Sequence, residues 1–425
     1  MVLFLTISLS FLLLIGFPMF MVMLFPSVTA VPIFYEHIPT FTLIQRTIGG
    51  ISPFPLVAVP LFIFAADIMM SGQMSQRLIH FAETLVGHFT GGLAHTTILA
   101  SLIFGAVSGS TQATVAAIGS NVYPTLLKRV YSQSFVTALI INSSDVSQLI
   151  PPSIFMIVYG VIASTSIAAL FIAGIVPGIM LGLAFMAYSW WWAKKHKNAK
   201  IKRATLADIW QATKDATGPL GFVVVIIGGI YSGIFSPTEA AAVAVGYSFI
   251  VETFIYRAIR IKDLGAIALK SGITTALVFI LVGGAEAFVW LLTVARVPHS
   301  ITQMILAYNP SPVALLLIIN ATFFAALMFF NPISAMIVLT PLFMPIAHKY
   351  GIDPIHLGVL ITLNAAIGSA TPPFGVDIFT ACAIFRLPYD SVVKGVPPFV
   401  IAGLCVLLIL TFFPDLVLIL PRLLL

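Results

Sequence analysis

The chain is 425 residues long, 60% of them hydrophobic and only 8% charged, with a formal net charge of +6. Soluble domains run at roughly 45–50% apolar and about 25% charged residues, so a soluble globular protein is excluded. The two cysteines, Cys382 and Cys405, exclude a disulfide scaffold and read as small buried hydrophobes.

Apolar runs of 18 or more residues recur along the length, and such runs read as membrane spans. The first, near 2–25, lacks a basic n-region and exceeds the length of a signal-peptide core, so a retained span is expected. A second span is expected near 52–70. From 88 to 123 the sequence turns small and polar within apolar flanks, as in "FGAVSGSTQATVAAIGSNVYP", and a re-entrant hairpin is expected there. A helix near 135–147 runs into "QLIPPS" (Gln148–Ser153), and the chain resumes as a helix at 154–192. Proline removes a backbone donor and breaks a helix interior, so the two segments form one broken helix, about 135–165.

Between the apolar regions lies "KKHKNAKIKR", Lys194–Arg203. A short basic loop beside spans is cytoplasmic by the positive-inside rule, and this placement leaves no basic face for nucleic acid. Residues 204–218 read as an amphipathic surface linker. Spans follow near 219–235 and 239–256. The second basic group, Arg257, Arg260 and Lys262, then falls on the same side as the first. Further helices are expected near 272–295, 312–326, 355–367 and 399–420, with a second hairpin near 328–347. A second Pro-Pro break, "SATPPFG" at Ser369–Gly375, completes a broken helix over about 355–385.

The two halves match at a constant offset of 221 residues. Pro124 falls on Pro345, Pro151–Pro152 on Pro372–Pro373, Gly174 on Gly395 and Pro177 on Pro398, while Ser110 falls on Asn331. The expected architecture is two structural repeats, 1–203 and 219–425, each with a hairpin followed by a broken helix.

Irregular backbone at membrane depth is tolerated only where protein or a water-filled cavity surrounds it. Paired discontinuous helices place carbonyls and helix ends at a transport site. Oxygen donors cluster at both breaks: Ser108, Ser110, Ser143, Ser144 and Ser147 at the first, and Asn331, Ser334, Asn364, Ser369 and Thr371 at the second. Hydroxyl, amide and carbonyl oxygens without clustered carboxylates suit Na⁺ better than a divalent ion. The competing explanation, close helix packing by small residues, is preferred for Ser120 and Ser166.

"FGAVSGSTQATVAAIG", "LIPPSIFMIVYG", "LFIAGIVPG", "SPTEAAAVAVGY" and "TPPFG" resemble the large membrane subunit of tripartite ATP-independent periplasmic (TRAP) transporters, and the early stretch "FPLVAVPLFIFAADIMMSGQMSQRLIHFAETLVGHFTGGLA" is also similar to that family. The resemblance runs from about residue 40 onward. It implies an all-α polytopic, elevator-type transporter of the bacterial inner membrane, with two inverted repeats and no cofactor beyond Na⁺ as coupling ion. Its implied partners are a periplasmic substrate-binding protein and a separate small four-helix membrane subunit. The substrate would be a small organic anion such as a C4-dicarboxylate, sialic acid or another sugar acid.

Carried over by position, the resemblance places one sodium site at Gly105, Ser108, Ser110, Ser147, Ile150 and Pro152. A second falls at Leu327, Asn331, Gly368, Thr371 and Phe374. Substrate would meet Ser110, Ser144, Asp145, Asn331, Ser334 and Ser369. The sequence departs from the family where Ser147 replaces a common glycine, where Phe330 replaces the usual glycine, and where Asn331 stands near a frequently acidic position.

Ionisable residues within spans are functional candidates: Asp67, Asp145, Glu239, Glu286 and Asp377. Glu239 after Pro237 reads as a first-turn helix cap. Asp67 and Glu286 could pair with Arg77 or Arg296, or help the scaffold meet the mobile unit. The histidines, among them His80, His88, His95, His299 and His348, form no ligand motif. Two other functions compete with this reading: an elevator carrier working without a binding protein, and an intramembrane serine protease using Ser108-Gly109. Protease chemistry needs a base beside the serine, and no histidine lies in a matching break.

Overall fold

A computed structural model describes residues 1–129, 131–196 and 202–424, and every regular element among them is helical. The middle of the basic Lys194–Arg203 loop, residues 197–201, lies outside the described residues. Among the described residues, five helices are long and apolar enough to cross a membrane, and seven if each of two sharply bent pairs counts as one span. The molecule is a multi-pass membrane protein.

The first hairpin rises through Gly92–Ser108 and returns through Thr111–Thr114, a π-helical segment at Val115–Gly119 and Ser120–Lys128. Its tip turns because Gly109 takes φ +56°, a left-handed conformation open to glycine. Ser110 then caps the return limb, its hydroxyl accepting from the Ala113 amide. The second hairpin is Pro312–Leu327 and Pro332–Lys349. The hairpin expected at 328–347 is therefore only its return limb. Its outgoing limb is the segment read from sequence as an independent span. The apolar tip, "MFFN", hid the turn, which is set by Asn331 as cap and Pro332 in the first helical position.

The broken helices follow. Gln133–Asp145 extends as a short 3₁₀ turn, Val146–Gln148, breaks across 149–153, and resumes as Ile154–Ile162. Pro354–Ser369 breaks across 370–375 and resumes as Val376–Phe385. Both Pro-Pro bonds are cis. The return limbs start at Thr111 and Pro332, and the broken helices at Gln133 and Pro354. Each pair is 221 residues apart, the offset found in the sequence. Every residue from Phe135 to Asp145 and from His356 to Ser369 is buried, so these two segments form the centre of the molecule.

The two units interlock. The Tyr159 hydroxyl donates to the Pro354 carbonyl at 2.8 Å, Thr111 donates to Asp377 Oδ1 at 2.9 Å, and Tyr123 stacks on Phe385 at 4.4 Å. Around them stands a frame. The helix Ala58–Ser71 packs on Pro237–Ile250, and Leu264–Val294 crosses Met19–Phe34, Phe41–Ile51 and Ala58–Ser71 before touching the second return limb.

The span expected at 2–25 is two helices, Val2–Leu14 and Met19–Phe34, because Gly16 at φ +79° and Pro18 end the first. The run 154–192 is likewise interrupted: Ser164 has positive φ, and Ser166 caps a new helix, Ile167–Lys195. The helices Phe41–Ile51, Met74–Val86 and Val297–Ala307 were not expected at all. The surface linker is the helix Leu206–Asp215, closed by a Thr205–Asp208 capping box and bent 65° from Thr217–Tyr231. Glu239 caps as expected, its carboxylate accepting from the Ser236 amide and hydroxyl at 2.8 Å. Cys382 is half-buried and Cys405 exposed, against the expectation of burial.

Asp67 pairs with Lys270 rather than with an arginine. Arg77 instead donates to the Asp215 carbonyl and lies 4.0 Å from the Tyr256 ring centre. Glu286 packs over Gly50, on the helix that carries Arg46. Glu252, which the sequence reading passed over, accepts from the amides of Gln73 and Met74 at 3.1 and 3.0 Å.

Candidate functional site

A cavity of about 480 Å³ opens where both hairpin tips meet the frame. The first tip contributes Ser108–Ala113, the second Asn331–Ile333, and the first break contributes Gln148, Ile154 and Phe155. The frame supplies Asp67 on one helix, and Lys270, Thr274 and Leu277 on another. This size and mixed lining suit a small organic molecule.

At the first tip three oxygens form a triangle. Ser108 Oγ lies 3.1 Å from Thr114 Oγ1 and 3.4 Å from the Ser110 carbonyl, and Thr114 Oγ1 donates to that carbonyl at 2.9 Å. Such hydroxyl and carbonyl oxygens are the donors a hard cation takes. The helix behind the tip approaches the first break closely: a Cβ on Gly105 would stand 2.5 Å from Ser147 Cα. Gly109 packs just as tightly under the Pro152 carbonyl. Gly105, Ser108, Ser110, Ser147 and Pro152 therefore gather at one place. Ile150 lies further back, its side chain beneath Gly178.

The second group gathers in a similar way. A Cβ on Gly368 would stand 2.5 Å from Leu327 Cβ, and the Phe374 amide donates to the Met328 carbonyl at 3.2 Å. Thr371 turns its hydroxyl onto the Ile367 carbonyl at 2.7 Å. Asn331 accepts from the Ile333 amide at 3.0 Å while lining the cavity.

Of the residues expected to meet substrate, Ser110 and Asn331 line the cavity. Ser144, Asp145, Ser334 and Ser369 are buried behind its wall. Ser144 and Ser369 bond back to their own helices, at Ile140 and Ala365. The Asp145 carboxylate has no hydrogen-bond partner among the described residues, whereas Asp377 holds the Thr111 hydroxyl.

Sequence reasoning missed Thr114, Gln112 and, above all, Lys270. The signal for Lys270 was present: it is a lone ammonium in "GAIALKSGITTALVF", and an ionisable residue in an apolar helix invites a functional reading whatever its sign.

The family model described as "Tripartite ATP-independent periplasmic transporter, DctM component" matches residues 6–416. The ectoine/5-hydroxyectoine TRAP transporter large permease protein UehC of Ruegeria pomeroyi is 48% identical over 96% of this chain and 95% of its own. The ectoine TRAP transporter large permease protein TeaC of Halomonas elongata is 48% identical over 96% of each. Among solved structures, the YdaH transporter of Alcanivorax borkumensis superposes with a TM-score of 0.62 at 13% identity, over 88% of this chain and 87% of that one. At that identity the likeness concerns the fold alone. Helical architecture, paired tips and relatives agree: the chain belongs to the DctM family, the large membrane subunits of tripartite ATP-independent periplasmic transporters.

Proposed function

We propose that the chain is the translocating subunit of a sodium-coupled uptake system in the bacterial inner membrane. It takes a small, carboxylate-bearing organic solute from a periplasmic binding protein and works beside a small four-helix membrane subunit. The observation that carries this reading is the cavity itself, closed by both hairpin tips on one side and by the frame on the other. The oxygen triangle at Ser108, Ser110 and Thr114 supports the sodium coupling. The equal offset between the two hairpin-and-broken-helix units supports a repeated body that moves against the frame as an elevator. A compatible solute of the ectoine kind is the first substrate to try, since the two relatives at 48% identity are named for it.

The test is uptake of labelled solute into proteoliposomes containing this chain, the small subunit and the binding protein. Accumulation is expected only with an inward Na⁺ gradient and with all three components. Uptake indifferent to Na⁺ would remove the coupling, and uptake without the binding protein would remove the delivery step.

A further inference from the structure

Among the described residues that line the cavity, two are charged: Asp67 and Lys270. They face each other across two frame helices, with Lys270 Nζ 2.7 Å from Asp67 Oδ1. Asp67 is fixed, since its second oxygen accepts from the Ser271 hydroxyl at 2.7 Å and the residue is 7% exposed. Lys270 is the movable partner, its side chain 62% exposed and carried on a flexible stem. The tips and the first break opposite present neutral polar groups: Ser110, Gln112, Gln148 and Asn331.

The lining therefore sums to zero charge. A ligand that enters loses part of its water, and a charge left there without a partner is costly. A dianion would bring two carboxylates to a single ammonium, one of them forced toward Asp67. A molecule with one carboxylate and one cationic group can do better. Its carboxylate takes Lys270 Nζ, its cationic group takes the released Asp67 oxygen, and every charge stays paired. When the ligand leaves, Lys270 and Asp67 close on each other again.

We infer that Asp67 and Lys270 form a charge clamp that selects net-neutral zwitterions over organic dianions. This inference rests on the reading of the cavity as the substrate site, and it replaces the expected organic anion with a different charge class. The same pair could serve only to tie two frame helices together, so the test reads selectivity as well as stability.

The full chain is purified in detergent with Na⁺, and thermal unfolding is followed against rising ectoine, glycine betaine or proline as zwitterions and succinate as dianion. The wild-type chain is expected to be stabilised by at least one zwitterion at concentrations about tenfold lower than succinate requires. Asp67→Asn is expected to reverse that order, because the site then carries a net positive charge. Lys270→Gln should lose the response to both classes. A pair that merely ties the frame would lower the unfolding temperature of both variants and leave the ratio between ligands unchanged, which would overturn the clamp. Stabilisation of the wild type by succinate alone, or by none of the three zwitterions, would overturn it too. Sodium-driven uptake with the binding protein would survive either result, so the clamp can fail while the transport function stands.

Discussion

Two contacts behind the hairpin tips are built alike but divide their space in opposite ways. At the first, the hairpin gives way: Gly105 lets the helix rest on Ser147. At the second, the broken helix gives way: Gly368 accepts Leu327. The obstacle at Gly105 is the Ser147 Cα, an atom that no side-chain rotation can move. Gly105→Ala should therefore cost about 1–3 kcal/mol by overpacking. The loss, read as a lower unfolding temperature, should not be recovered by adding Ser147→Gly. Ser108 poses a different question, because it lines the cavity and its hydroxyl belongs to the oxygen triangle. Ser108→Ala should raise the Na⁺ concentration for half-maximal uptake about tenfold, equivalent to ~1.4 kcal/mol, with expression unchanged. Unaltered Na⁺ dependence would make Ser108 a packing residue.

At the scale of the element, polar groups set where the apolar helices end and how they meet. Glu252 is buried and reaches the N-terminal amides of Met74–Val86 from 179 residues away. A hydrogen bond to a charged group contributes about 1.5–3 kcal/mol. Glu252→Ala should cost about that much in thermal unfolding, with faster hydrogen exchange at the amides of residues 73–74. A neutral counterpart joins three helices of the second unit: Asn364 donates to Asn320 Oδ1 at 2.9 Å, and Asn320 donates to Thr411 at 2.8 Å. Intramembrane bonds of this kind average about 0.6 kcal/mol and reach about 1.7. A double-mutant cycle on Asn320→Ala and Asn364→Ala should return a coupling in that range. Local sequence predicted the elements whose ends carry their own signal. The Pro-Pro breaks, the first tip with its Gly109, and the Ser236–Glu239 cap were readable for that reason. The second tip was not, because phenylalanines fill it and only Asn331–Pro332 marks the turn. The partner of Asp67 was not readable either, since helices 203 residues apart in sequence meet only through the packing of the frame.

At the scale of the whole molecule, the 221-residue offset read in the sequence recurs in the starts of the return limbs and of the broken helices. What it could not show is that each unit reaches into the other, through Tyr159 to Pro354 and through Thr111 to Asp377. The outer helices present apolar side chains to the surroundings, among them Val224 at 70% exposure. A lysine at the centre of a membrane helix costs about 2.5–3.5 kcal/mol. Val224→Lys should accordingly reduce the membrane-inserted yield, whereas Leu206→Lys, on the surface helix, should not. The opposed division of space behind the tips also limits how the molecule can be rebuilt. Moving the second hairpin onto the first broken helix would set Leu327 against Ser147, a collision. Moving the first onto the second would set Gly105 against Gly368, a gap. The two hairpins are therefore not interchangeable parts, and a chimera that trades them must trade the facing helices with them.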